Sequence, residues 1–149
     1  MIRKFQITDK ERVMELWLSG NIDAHPFVQK EYWVTHFDMV QEQLLQAEVY
    51  VLENNGSIQG FIGTQENYIA GIFVKKEFRS AGIGKMLLDY VKEKHEVLTL
   101  NVYQKNRRAV KFYQREGFEL ISEEIEPDSG EMDETMRWHN RVQMEVDKE

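Results

Sequence analysis

The sequence predicts a mixed α/β domain: a central, mostly antiparallel sheet of about seven strands with helices on both faces. Three observations carry that expectation. Strand-length and helix-length segments follow in the order β-α-α-β-β-β-α-β-α-β-β. Three strands in direct succession form a meander, whereas the later strands alternate with helices, so the sheet is mixed. Glycines open the first of those later helices and close the second.

Residues 2–7 alternate Ile2, Lys4 and Gln6 against Arg3, Phe5 and Ile7, the period of a short strand. Thr8 and Glu11 then have the spacing of a capping box, in which each side chain satisfies a free amide at a helix start. Val13, Leu16, Trp17 and Gly20 share one face of that helix, and Gly20, Asn21 and Pro26 predict a break over 19–28. A second helix over 29–47 repeats Trp33, Phe37, Val40 and Leu44 at helical spacing. The period then changes. Residues 49–52 and 58–64 are strands joined through Asn54-Asn55-Gly56, a strong hairpin signal. Residues 68–74 have no polar face, which predicts a strand buried on both sides. From Gly82 the helical period returns, with Ile83, Met86, Leu87, Tyr90 and Val91 in one stripe. A branched strand at 97–102 precedes a short helix at 107–116, ended by Gly117 in the left-handed cap position. Residues 118–125 and 134–138 flank Pro127-Asp-Ser-Gly130 as a hairpin with a loop, and the charged tail after about 140 is expected to fray.

No repeat or linker divides residues 1–149, which are expected to form a single domain. With 42% hydrophobic and 30% charged residues the composition is that of a globular protein. There is no cysteine, so disulfides, thiolate metal sites and a cysteine acyl-enzyme are excluded; no metal is expected. The opening residues lack a signal-peptide core and no apolar run reaches membrane-spanning length, so a cytoplasmic protein without a membrane partner is expected. A formal charge of −7 disfavours nucleic acid and favours cationic partners. The assembly is left as monomer or homodimer.

Two stretches carry the chemistry. In the first, the strand through Ile72, Phe73 and Val74 leads by a short loop into Arg79-Ser80-Ala81-Gly82-Ile83-Gly84-Lys85, where glycines open a helix. Small residues let backbone amides approach a ligand, and a helix amino end attracts anions; a diphosphate suits both. The spacing is neither a Walker A loop nor a dinucleotide fingerprint. The second stretch, Asn101 through Phe118, follows the next strand and contains Asn106, Ala109, Phe112, Tyr113 and Gly117.

The pair Arg79-x-x-Gly82-x-Gly84 and Asn106-x-x-Ala109-x-x-Phe112-Tyr113-x-x-x-Gly117-Phe118 resembles the GNAT acetyltransferase family, in order and separation, over nearly the whole chain. His25-Pro-Phe, Tyr32-Trp33 and Val102-Tyr-Gln-Lys-Asn106 look particularly like a bacterial protein-lysine acetylating subgroup. The resemblance implies a sheet splayed between its fourth and fifth strands, where the pantetheine arm of acetyl-CoA pairs with Ile72 and Val74. It implies that amides from Arg79 through Lys85 wrap the diphosphate and that the Asn106 side chain bonds the cofactor. Tyr113 would then be the general acid toward the departing thiolate. A phenol near pKa ~10 suits that task, and without cysteine the amine must attack directly.

One departure matters. Many relatives carry an acid on the cofactor strand where this chain has Ala70, so the base is left to Glu66, His25 or a water ordered by Asn101. The acceptor side is expected to draw on His25, Phe27, Trp33, Tyr68 and Asn101, with Trp17 and Tyr32 beside them and Glu131, Asp133 and Glu134 at the rim. Aromatic walls and carboxylates suit a cationic chain, and a protein lysine is the expected acceptor. A small-molecule amine fits the same residues, and without the strand acid an acetyl-CoA-binding sensor is also open.

Overall fold

A computed structural model describes residues 1–140; the tail after about 140 lies outside the described residues. The elements are β1 (Ile2–Lys4), α1 (Lys10–Ala24), α2 (Lys30–Gln46), β2 (Glu48–Asn54), β3 (Ser57–Gln65), β4 (Tyr68–Val74), α3 (Ile83–Lys92), β5 (Val97–Tyr103), α4 (Arg107–Arg115), β6 (Glu119–Ile125) and β7 (Met132–His139). The strands form one sheet in the order β1-β2-β3-β4-β5-β7-β6. Every neighbouring pair is antiparallel except β4 and β5. Among the described residues no helix is long and apolar enough to cross a membrane.

Strand alternation divides the core between the two faces. Val49, Val51 and Phe61 meet Val13, Met14, Leu16 and Leu44 of α1 and α2. Their neighbours Tyr50, Leu52 and Ile62 meet Ile83, Leu87, Leu88 and Val91 of α3 on the opposite face. Leu87 and Leu88 are fully buried, each contributing about 2 kcal/mol by removal from water. Arg3 fixes the chain start by bonding Asp9 at 2.8 and 3.0 Å and Glu53 at 2.8 Å.

Several sequence expectations are corrected. The capping interaction joins Gln6 and Asp9, not Thr8 and Glu11, because β1 ends at Lys4 and a 3-10 turn over Ile7–Asp9 comes before α1. The break predicted over 19–28 shortens, since α1 runs on to Ala24. Gly20 is a packing residue: a Cβ there would lie 2.8 Å from the Phe73 ring, so its absence lets the helix settle onto β4. Met86 leaves the predicted stripe and is 47% exposed. The strand expected to be buried on both sides exposes Tyr68 and Ala70, and Gly71 through Val74 are half-buried.

Other expectations hold. Asn55 and Gly56, at φ 53° and 76°, form the two-residue hairpin turn between β2 and β3. Gly117, at φ 93°, ends α4, and the Phe118 amide bonds the Tyr113 carbonyl at 2.9 Å to close the cap.

Candidate active site

β4 and β5 meet only at their start, with Tyr68 opposite Thr99 and Ile69 opposite Leu100; beyond that the strands part. The separation originates in β4. On its other edge Gly71 faces Gly63 but Ile69 faces Thr64, so Ala70 is an extra residue bulged from the ladder. Past the bulge, the Lys75 amide bonds the Gln59 carbonyl at 2.8 Å. By the period of two, Phe73 is the next residue to bond β3. Ile72 and Val74 therefore direct their amides and carbonyls into the gap. Phe73, expected among the cofactor residues, turns its ring away, stacked on Phe61 at 5.2 Å beneath α1.

At the end of β4 the chain enters the glycine-bearing turn. Ser80 and Gly82 adopt φ 70° and 81°. Nothing lies within 4 Å of a Cβ added at Gly82, so backbone conformation and not crowding requires glycine there. The amides of Arg79 and Ala81 bond the carbonyls of Lys76 and Phe78, each at 3.3 Å, and so are used within the turn. Those of Ser80, Gly82, Ile83, Gly84 and Lys85 make no protein hydrogen bond among the described residues. The Lys85 side chain turns away to Glu116, at 2.9 Å. Arg79 pairs with Asp23 at the end of α1, and Arg108 of α4 donates to the Ser80 hydroxyl at 3.4 Å, so the turn is braced from two sides.

Asn106 caps α4, its Oδ1 accepting from the Ala109 amide at 3.3 Å. That orientation aims its Nδ2 at His25 Nε2, 3.3 Å away. His25 Nδ1 in turn donates to the Asn21 carbonyl at 2.9 Å. Both ring nitrogens are therefore engaged, and burial lowers the His25 pKa, so the ring is neutral and has no lone pair to spare. This corrects His25 as a candidate base. The Asn106 side chain, expected on the cofactor, has both ends engaged within the protein.

Tyr113 is buried on α4 between Phe112 and Phe118, at centroid distances of 5.3 and 5.6 Å. Its hydroxyl has no hydrogen-bond partner among the described residues. Burial, aided by the nearby Tyr68 phenol, raises its pKa well above the usual phenol range.

The family model "Acetyltransferase (GNAT) domain" matches residues 22–137, spanning α2, the splayed strands, the turn and α4. The chain belongs to the GNAT acetyltransferase family. It is 37% identical over 123 residues to the peptidyl-lysine N-acetyltransferase YiaC of Escherichia coli K12, covering 81% of this chain and 84% of that one. The apo solution structure of E. coli YjaB superposes at a TM-score of 0.82 with 22% identity, over 93% of this chain and 96% of that one. A putative streptothricin acetyltransferase from Bacillus anthracis, solved with acetyl coenzyme A, matches at 26% identity and a TM-score of 0.58, over 63% of this chain and 62% of that one.

In this GNAT chain the acceptor-side residues divide into two groups. His25, Phe27 and Trp33 belong to an aromatic cluster closed by Tyr103: His25 stacks on Trp33 at 5.1 Å, and Phe27 meets Tyr103 edge-on at 5.6 Å. Trp33 is only 8% exposed and packs against His25 and Trp17, so it is a core residue and not a substrate wall. Tyr68 and Asn101 do come together. The Tyr68 hydroxyl donates to Asn101 Oδ1 at 2.9 Å, and Asn101 Nδ2 donates to Asp133 Oδ2 at 2.7 Å and to Thr135 Oγ1 at 2.9 Å.

Sequence reasoning placed Asp133 only at the rim and missed Tyr103 and Glu126. Glu126 Oε1 accepts from Tyr103 at 2.6 Å and Tyr32 at 3.0 Å, fastening the β6–β7 loop to β5 and α2. Burial alone would raise its pKa, but the Tyr103, Ser129 and Tyr32 hydroxyls and nearby His36 outweigh it and hold the carboxyl below the usual range. The alternation of 132–139 already puts Asp133, Thr135 and Arg137 on one face. What the sequence lacks is the register that sets Asp133 opposite Tyr103 and Thr135 opposite Asn101.

Proposed function

We propose that this chain moves an acetyl group from acetyl-CoA directly to a primary amine, with a protein lysine ε-amine as acceptor. The observation that carries the reading is the β4 backbone at Ile72 and Val74, unpaired on its β5 side among the described residues, which runs straight into the open amides of the α3 start. A pantetheine arm has amide groups suited to pairing with Ile72 and Val74 as an added strand. A diphosphate fits the amides of Ser80, Gly82, Ile83, Gly84 and Lys85 together with the helix dipole. Bound there, acetyl-CoA supplies the activated acetyl thioester. The gap amide at Ile72 is the donor for the carbonyl oxygen as it gains charge.

Tyr113 serves the leaving sulfur. Its raised pKa keeps the phenol protonated but makes it a weaker acid than a free tyrosine, so its hydrogen bond does much of the stabilising before the proton moves. The sheet face beside the splay gathers Tyr68, Asn101, Asp133 and the Glu126 clamp, whose carboxylates and phenols favour a cation. The names of YiaC and YjaB support lysine over a small amine.

Thiol release from acetyl-CoA, with lysine peptides and a panel of small amines offered in parallel, tests the reading. Peptide-dependent release supports the lysine acceptor. Release only with a small amine moves the acceptor class, and binding without release leaves a sensor.

A further inference from the structure

We infer that Asp133 is the proton acceptor of the transfer, reached from the acceptor amine through one water and held in place by Asn101. The inference rests on the acetyltransferase reading above. Ala70, bulged at the head of the splay, has no proton-accepting group. The polar chain nearest that point runs from Tyr68, two residues before the bulge, through Asn101 on β5 to Asp133 on β7. Asp133 thus stands on the strand behind the β5 edge of the gap, tied to that edge by the 2.7 Å bond from Asn101, and a water at its second oxygen is the link to the acceptor amine. Asn101 engages only Oδ2, and Oδ1 has no protein partner among the described residues.

The other candidates are disposed of by geometry. His25 has both nitrogens engaged. Glu126 accepts from Tyr32 and Tyr103. Glu134 lies on the opposite face of β7, with Met136. Glu66 sits at the β3–β4 turn, on the closed side of the strand pair. The groups around Asp133 are Tyr68 on β4, Asn101 and Tyr103 on β5, Glu124 on β6, Glu126 in the loop and Glu134 on its own strand. Burial raises the Asp133 pKa, the Asn101 amide opposes this, and Glu126, Glu124 and Glu134 add to the rise. Each of the raising effects makes it a better base.

Asp133 takes one proton from the ammonium through the water, and the freed lone pair forms the N–C bond to the acetyl carbonyl carbon. The second amine proton leaves to solvent by the same water as the C–S bond breaks. The Tyr113 phenol protonates the thiolate, and solvent then takes the proton from Asp133 and restores the one on Tyr113.

Asp133→Asn tests the role, because its carbonyl oxygen can still accept from Asn101 while it cannot take a proton. The measurements are pH profiles of kcat/KM with the best amine of the panel, beside acetyl-CoA binding. The expected result is a loss of about 10²-fold or more, disappearance of the acidic limb, unchanged acetyl-CoA binding, and partial recovery of rate and limb in Asp133→Glu. A parental rate in Asp133→Asn overturns the role, as does a lowered rate that keeps the acidic limb. A parent chain that binds acetyl-CoA but acetylates no amine overturns the acetyltransferase reading, and the Asp133 role with it.

Discussion

Gly82 and Tyr113 mark the two ends of the proposed cofactor track. At Gly82 the backbone lies at φ 81° in open space, so Gly82→Ala brings conformational strain of about 1 kcal/mol without a clash. Because nothing crowds Gly82, the free turn relaxes that strain and takes it up again only around the diphosphate, so the expected outcome is acetyl-CoA binding weakened about fivefold by calorimetry, with little change in thermal stability. At Tyr113 the phenol is buried and protonated, and Tyr113→Phe removes only the hydroxyl. Turnover should fall about 10²-fold or more while acetyl-CoA binding persists. The sign of the pKa shift adds a second readout: because the phenol is raised, its ionisation places no alkaline limb below pH ~10 in the parent profile. The left-handed backbone at Gly82 and the place of Tyr113 on α4 were legible because each is set by local sequence. His25 was legible only as a residue type, since its hydrogen bond to Asn106 spans 81 positions.

At the scale of elements, the β6–β7 hairpin is the piece that needs fastening. β6 is an exposed edge strand, and its loop is held down through Glu126 by hydroxyls from β5 and α2. Tyr103→Phe deletes the 2.6 Å bond and should cost about 1–2 kcal/mol. Hydrogen exchange should quicken at residues 126–131, with KM for the acceptor raised and acetyl-CoA binding unaffected. The folded Glu126 carboxyl lies below its ordinary 4.5, so the clamp is fully present above that pH and is lost as pH falls through the folded value. Acid should therefore reproduce the exchange pattern of the variant. The sequence announced this hairpin by Pro127 and Gly130 but not its anchor, because Tyr32 is 94 positions from Glu126. Gly20 shows the reverse error: a local breaker signal stood for a tertiary contact with Phe73.

Across the whole molecule, the sheet is continuous except where β4 leaves β5, and the helices that follow those two strands, α3 and α4, pack on one face of the sheet with Gly84 against Phe112. Helix and strand periods were enough to order the elements and to place helices on both faces. They could not show that β4 would be half-buried, because that depends on the bulge at Ala70 and on a two-residue contact with β5. If this gap and the amides beyond it hold acetyl-CoA, an amide NMR titration of the chain with acetyl-CoA reads the contact directly. The largest shifts are expected at Ile72, Val74, Ser80 and Gly82 through Lys85, with smaller ones at Arg79 and Ala81, whose amides are bonded within the turn. Saturating shifts confined to another surface, with the β4 gap and the α3 start unmoved, would contradict that contact.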